Sequence, residues 1–305
     1  AFIPSPPANG FSIGPVRIHV YGFLIAVGVV AAVWLAQRQW RRIGGADGVM
    51  TTLAFWAVPG GLIGARLYSV ITSWQQDTGG HILRAFAIWQ GGLGIWGGVA
   101  GGVALGYVGI RRARLPLAPV LDCVAPALLL AQAIGRWGNY FNQELYGRVS
   151  GLPWAVRIDH PDGAATAGTF QPTFLYESLW DLFGVGVVIW AERRFHIRRG
   201  YLFALYAAFY TAGRFWTEYL RIDPAHKYGP FRLNDWTAIL VFAVAVILLA
   251  TRGRWRPGLE RAGDPLPAGT PGMAPAVDAP DGDAEHEVKG AEHQAAGTEA
   301  RYGPT

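Results

Sequence analysis

The chain has 305 residues, 51% of them hydrophobic and 15% charged, with a formal net charge of +5. Ordinary soluble domains carry about 25% charged residues, so this composition argues against a water-soluble globule. The single cysteine, Cys123, excludes an intramolecular disulfide.

Residues 18–37, IHVYGFLIAVGVVAAVWLAQ, contain no Asp, Glu, Lys or Arg. A helix of about 20 apolar residues crosses the roughly 30 Å hydrocarbon core of a bilayer, so this run is the first predicted span. No basic region precedes it, and a cleavable signal peptide is not expected. The second span is predicted at 51–72, with one charge, Arg66, and the third at 88–110, with none. Spans four to seven follow at 117–141 (Asp122, Arg136), 173–191 (Glu177, Asp181), 200–220 (Arg214, Glu218) and 235–251 (Asp235 at its edge). The expectation is an all-α integral membrane protein with seven transmembrane helices. A large soluble helical enzyme would have to bury two charge-free 20-residue runs.

The basic residues follow the same alternation. Arg38, Arg41 and Arg42 follow span one, and Arg111, Arg112 and Arg114 follow span three. Arg193, Arg194, Arg198 and Arg199 follow span five, and Arg252, Arg254, Arg256 and Arg261 follow span seven. The other side holds half as many. Arginine and lysine favour the cytoplasmic side, which places the N-terminus outside and the C-terminus inside. The net positive charge is thereby a topology signal and needs no nucleic-acid partner.

The membrane domain is expected over 1–252. Within it, residues 142–172 form an insertion read as a small extracytoplasmic head, where GRVSGLPWAVRIDH alternates apolar and polar residues as a short hairpin does. Residues 253–305 are rich in Pro, Gly, Ala and acid. Such a segment cannot bury enough surface to offset its ordering entropy, so a disordered cytoplasmic tail is expected. Glycines crowd spans two and three, in PGGLIGARLY and QGGLGIWGGVAGG. They fit either close helix packing or a broken helix lining a cavity.

The charges inside the spans carry the functional signal. In GRWGNYFNQELYG, residues 135–147, Arg136, Asn139 and Asn142 or Gln143 fall on one helical stripe. In GRFWTEYLR, Arg214, Glu218 and Arg221 fall at i, i+4 and i+7, with Arg221 expected nearer water. An unpaired charge inside a bilayer costs several kcal/mol, so these stripes face protein or water. Arg66, Arg136 and Arg214, with Tyr21, Asn139, Glu144, Glu177 and Glu218, come from at least five helices at similar predicted depth near the outer leaflet. Taken singly, each allows a structural role such as snorkelling or neutralising a neighbour. Together they predict a positive, hydrogen-bonding cavity suited to a phospholipid head group, because arginine offers a planar, permanently charged fork to phosphate.

The stretch GRWGNYFNQELYG resembles the signature of the bacterial prolipoprotein diacylglyceryl transferase family: Gly-Arg-x-Gly-Asn, an aromatic residue, x-Asn-x-Glu and a later Gly. Here these are Gly135, Arg136, Gly138, Asn139, Tyr140, Asn142, Glu144 and Gly147. Supporting stretches occur in order: VYGFLIAVG, IWQGGLGIWGG, QPTFLYES and GRFWTEYLR. The resemblance covers about residues 10–250. It implies a seven-span enzyme that moves the diacylglyceryl group of phosphatidylglycerol onto the lipobox cysteine of a preprolipoprotein, forming a thioether and releasing glycerol phosphate.

Carried over by position, the family's lipid-phosphate arginine falls on Arg136, and its essential asparagine and glycine fall on Asn139 and Gly147. Its acid falls on Glu144, its Arg-x-x-x-Glu pair on Arg214 and Glu218, and its tyrosine on Tyr21. These give the expected catalytic set, Arg136, Asn139, Glu144, Arg214, Glu218 and Tyr21. The lipid-binding set is Arg136, Arg214, Asn142, Gly147 and Arg66. The resemblance implies His-Gly-Gly in many members where this chain has Trp96-Gly97-Gly98, so the histidine proposed there as a base or hydrogen-bond donor is missing from this chain.

The chemistry fits the residues. The thiolate is the nucleophile, and a free thiol with a pKa of about 8.5 is mostly protonated near neutrality. Arginines favour the thiolate and stabilise the departing phosphate. Glu144 or Glu218 could accept the thiol proton or hold the arginines in place.

A transporter would place its charges near the midplane, often on related repeats, and no repeat is evident. Intramembrane protease and metal-dependent phosphatidyltransferase motifs are missing. The seven histidines form no i, i+4 pair for zinc, and neither a metal nor a cofactor is expected.

Overall fold

The computed structural model describes residues 2–14, 16–86, 92–159, 166–223 and 227–275. Residues 1–273 form one compact unit, and 274–305 group separately. An antiparallel hairpin, β1 (Gly10–Ile13) with β2 (Val16–His19), leads straight into α1 (Val20–Arg42). Then follow α2 (Val49–Thr72), the short α3 (Trp74–Thr78), α4 (Ile95–Arg112) and α5 (Leu117–Gly135). After α6 (Trp137–Asn142), β3 (Val156–Ile158) pairs antiparallel with β4 (Gly168–Phe170). The chain closes with α7 (Thr173–Arg194), α8 (Leu202–Leu220), a two-residue hairpin of β5 (Lys227–Tyr228) and β6 (Phe231–Arg232), and α9 (Leu233–Thr251).

The protein is all-α in its main body. Among the described residues, five helical runs are long and apolar enough to cross a membrane: α1, α2, the run Leu117–Asn142 that joins α5 and α6, α7 and α9. Large apolar side chains on them point away from the bundle, among them Val30, Phe55, Ile71, Phe183, Leu240 and Ile247. Water would penalise such a belt, and lipid tails solvate it. These features make a multi-pass membrane protein.

The third predicted span requires correction. Residues 88–91 lie outside the described residues, and helix α4 begins only at Ile95. Gly92 has φ of +68° and Gly94 is extended, so the backbone there does not take helical angles. The glycine-rich faces resolve as close packing. A Cβ on Gly64 would stand 2.3 Å from the Gly97 carbonyl oxygen, and one on Gly97 would stand 2.2 Å from that of Gly64. Helices α2 and α4 therefore meet backbone to backbone, and α2 runs on through Pro59 without a break.

The two ends of the bundle belong to different neighbourhoods. At one end, a buried cluster joins the end of α1 (Leu35, Trp40, Ile43), the start of α2 (Met50, Leu53), Ile110 and Leu115, and the start of α5 (Val120, Cys123). Leu266 belongs to the same cluster, and Ala262 to a second cluster with Leu202 and Val188. The expectation of a tail disordered from residue 253 is thus overturned up to residue 273. The Trp40 indole donates to the Gly272 carbonyl at 3.2 Å, and Arg199 pairs with Glu260 at 2.9 Å and donates to the Pro265 carbonyl at 3.0 Å. This strap needs no core of its own. It lends a few apolar side chains to a core the helices already supply, and its backbone is satisfied by neighbours. Residues 276–305 lie outside the described residues.

At the opposite end, the insertion 142–172 carries the β3–β4 hairpin over a small core of Tyr146, Val156, Ile158, Phe170 and Phe174. Ile3 bridges to Val156, which ties the N-terminal segment to this end.

Candidate active site at the hairpin end of the bundle

The helix carrying GRWGNYFNQELYG breaks at Arg136, between α5 and α6, and ends at Gln143 in a left-handed conformation (φ +53°). Leu145 is left-handed as well (φ +57°). Two non-glycine residues in this region cost about 1 kcal/mol or more each, a strain that tends to collect at functional sites. Between them sits Glu144. Its Oε1 accepts from the side-chain amides of Asn139 at 2.9 Å and Asn142 at 3.2 Å, and its backbone N–H donates to the Asn139 carbonyl at 3.1 Å. The motif closes on itself into a polar knot with one carboxylate at its centre.

Arg136 starts a second network. Its Nε is ion-paired with Glu177 Oε2, and its Nη2 donates to the Tyr210 hydroxyl at 3.4 Å. Glu177 Oε1 lies 3.2 Å from Nη1 of Arg214, whose Nη2 lies 2.5 Å from Glu218 Oε2. Glu218, 1% exposed, also meets Arg221 at 3.3 Å, Arg232 at 3.2 Å and the Asn234 amide at 3.2 Å. Arg221 and Arg232 both reach Asp223, and Asp235 Oδ2 accepts the Arg232 backbone N–H. Arg221 is buried rather than near water, held between these carboxylates. The chain Arg136–Glu177–Arg214–Glu218–Arg232 fastens the ends of α5 and α8 to the starts of α7 and α9. Buried charges persist only when paired and hydrogen-bonded, which is what each of these has.

Arg136, Glu177, Trp180, Asp181, Tyr210, Gly213 and Arg214 line a cavity with about 10 Å³ of free space. That is room for roughly one water-sized group. Two guanidinium groups are matched there by two carboxylates, so the expected net-positive cavity is instead a balanced one. Each arginine still has N–H donors beyond those its ion pairs use.

The remaining predicted residues distribute as follows. Tyr21 lies against the motif, because a Cβ on Gly138 would stand 2.2 Å from its ring. Gly147 donates its N–H to the Gln171 carbonyl at 2.9 Å and bridges to Arg221, linking the polar knot to the arginine network. Arg66 is drawn elsewhere. Buried, it donates to the carbonyls of Ala85 at 2.8 Å, Arg84 at 2.6 Å and Gly92 at 3.1 Å, and it is not among the cavity-lining residues above. Its guanidinium holds the loop before α4, which accounts for a charge in that span without a lipid. Trp96 is half-exposed on α4, and it too lies outside the cavity lining.

The sequence places Glu177 among the cavity residues but outside the catalytic and lipid-binding sets, and it marks Asp181 only as a charge in the fifth span and Tyr210 not at all. The i, i+4 spacing of Glu177 and Asp181, in a span with no other charge before Glu192, marks the two as a pair without distinguishing them.

Comparison with known proteins identifies the family to which the chain belongs. A family model described as prolipoprotein diacylglyceryl transferase matches residues 9–251. Phosphatidylglycerol–prolipoprotein diacylglyceryl transferase 1 of Streptomyces coelicolor is 51% identical over 267 residues, covering 87% of this chain and 78% of that protein. Transferase 2 of the same organism is 50% identical over 265 residues, covering 85% and 84%. The Rhodococcus jostii transferase is 46% identical over 288 residues, covering 88% and 80%. The chain belongs to the prolipoprotein diacylglyceryl transferase family.

Proposed function

We propose that this protein transfers the diacylglyceryl group of phosphatidylglycerol to the lipobox cysteine of a preprolipoprotein, and that the Arg136–Glu177–Arg214 relay is where it does so. Family membership over most of the chain supports the activity. The observation that carries the site is one carboxylate holding two arginine forks at the edge of a cavity.

The cysteine sulfur attacks the glyceryl carbon that bears the phosphate. A carbon–sulfur bond forms, the carbon–oxygen bond breaks, and its electron pair leaves with glycerol phosphate. Negative charge grows on the departing phosphate oxygens, where Arg136 and Arg214 stabilise it with N–H donors already held in place. Glu177 orients both forks, and Glu218, with Arg221 and Arg232, fixes Arg214 from behind. Every acceptor position of Glu218 described above is occupied, which favours the orienting role over proton transfer. Asn139 and Asn142 hold Glu144, Tyr21 packs against Gly138 of the same motif, and Gly147 bridges to Arg221. Arg66 positions the loop before α4.

In the membrane, the chain makes seven crossings: α1, α2, α4, α5 with α6, α7, α8 and α9. The hairpin end faces out with the N-terminus. The Trp40–Leu266 end, where the arginine clusters lie, faces the cytoplasm. Phosphatidylglycerol enters from the outer leaflet, and the translocated signal peptide brings its cysteine from the same side.

The test is purified protein in vesicles with a lipobox peptide, read by peptide mass. Diacylglyceryl addition in phosphatidylglycerol vesicles, absent with phosphatidylethanolamine alone and with a Cys→Ser peptide, is the expected result. Addition to the serine peptide, or no addition in phosphatidylglycerol, would contradict the reading.

A further inference from the structure

Of the carboxylates described at the site, Glu177, Glu218 and Glu144 are each held by arginine or asparagine side chains. Glu177 holds Arg136 and Arg214, Glu218 holds three arginines and Asn234, and Glu144 holds Asn139 and Asn142. Asp181 is different. It is 2% exposed and lines the cavity one helical turn beyond Glu177, yet its buried Oδ2 has no hydrogen-bond partner. Buried polar atoms are almost always satisfied, so an unpartnered acceptor on a residue that lines a water-sized cavity calls for a reason. Asp122 uses both of its oxygens on the Gly200 and Leu202 N–H groups, and Asp235, whose Oδ1 is also unpartnered, caps α9 and does not line the cavity, so Asp181 is set apart by its place in the cavity wall.

We infer that Asp181 is the general base that takes the lipobox thiol proton. This assignment rests on the transferase reading above. Asp181 lines a cavity with room for roughly one water-sized group, and its Oδ2 is an acceptor without a partner there. Arg136 faces Asp181 from the end of α5, Glu177 from its own helix, and Tyr206, Tyr210 and Arg214 from α8. As sulfur bonds to the glyceryl carbon, its proton moves to Oδ2, and the carbon–oxygen pair leaves on the phosphate between the two arginines. The protonated carboxyl then passes its proton to the departing glycerol phosphate, which restores the carboxylate. The gain of phosphate charge and the loss of carboxylate charge occur in one small space, so the arginines are never outnumbered. Sequence spacing alone would not have found this residue, because Glu177 and Asp181 look equivalent until their partners are known.

A selenocysteine lipobox peptide separates base catalysis from structural support, since its selenol is already ionised at neutral pH and needs no base. Asp181→Asn should lower kcat on the cysteine peptide by about 100-fold or more, with little change in KM for phosphatidylglycerol. On the selenocysteine peptide it should approach the wild-type rate. An equal loss on both peptides, or no loss on the cysteine peptide, overturns the assignment. Should that variant fail to accumulate, Asp181→Glu, which keeps a carboxylate, decides: it should retain part of the cysteine-peptide rate and approach the wild-type rate on the selenocysteine peptide, and an equal loss on both peptides overturns the assignment. Wild type inactive on either peptide would instead remove the transferase reading on which the assignment rests.

Discussion

Glu177 Oε1 lies 3.2 Å from Arg214 Nη1, while its Oε2 is paired with Arg136, so one buried carboxylate holds two guanidinium groups contributed by different helices. Removing its charge strands both. Breaking a buried pair from one side costs about 3–5 kcal/mol. Glu177→Gln should therefore lower the unfolding midpoint in detergent and reduce transfer strongly. Thermal unfolding measured beside turnover checks it, and a variant that keeps wild-type stability would remove Glu177 from the centre of the network.

The strap at the other end divides the tail into two parts with different expectations. Ending the chain after residue 275 should leave activity and stability unchanged. Ending it after residue 260 removes Ala262 and Leu266 from two cores and the Gly272 acceptor from Trp40. That loss should cost about 2 kcal/mol or more. Equal melting temperatures for the two truncations would show that the strap contributes nothing.

How much of this was legible in the residues alone depends on distance along the chain. Asn139, Asn142 and Glu144 lie within six positions, so the motif could be read as one unit before its hydrogen bonds were seen. Arg136, Glu177 and Arg214 are each about 40 positions apart, and nothing local says which acid meets which arginine. Arg66 shows the opposite difficulty. A charge in an apolar run reads the same whether it awaits a phosphate or holds three loop carbonyls, and only the fold separates the two. The strap escaped for a similar reason. Composition measures whether a segment can make its own core, and Leu266 joins one made by other helices.

Trp96 occupies the position where many family members have histidine, and it is half-exposed outside the cavity lining. Trp96→Phe should leave turnover within about threefold of wild type, the range expected of substitutions away from a packed site. His19→Ala, at the start of α1, should do the same. A tenfold loss in either, at normal expression, would return the base to that side of the molecule.

Asp223 gives the outer network its pH dependence. Partial burial raises its pKa, but hydrogen bonds and charge from Arg221 and Arg232 outweigh this and hold it below the ordinary carboxylate value of 3.8. A lowered pKa stabilises the folded state fully above the unfolded value, and that contribution disappears as pH falls through the lower folded one. Acidification from neutrality to about pH 5 should therefore not weaken this contact. Asp223→Asn should melt below wild type at pH 7, with the gap closing below about pH 4. A gap that already closes by pH 6 would show that Asp223 is not held this way.

The central claim is that paired guanidinium forks, rather than positive charge alone, stabilise the departing phosphate. Arg136→Lys tests it most directly, because lysine keeps the charge and loses the planar fork that meets both Glu177 and phosphate. The measurement is the rate of thioether formation on a lipobox peptide in phosphatidylglycerol vesicles, for wild type and Arg136→Lys at matched protein levels. Arg136→Lys should form the thioether about 100-fold or more slowly than wild type. A lysine variant working at close to the wild-type rate would contradict it.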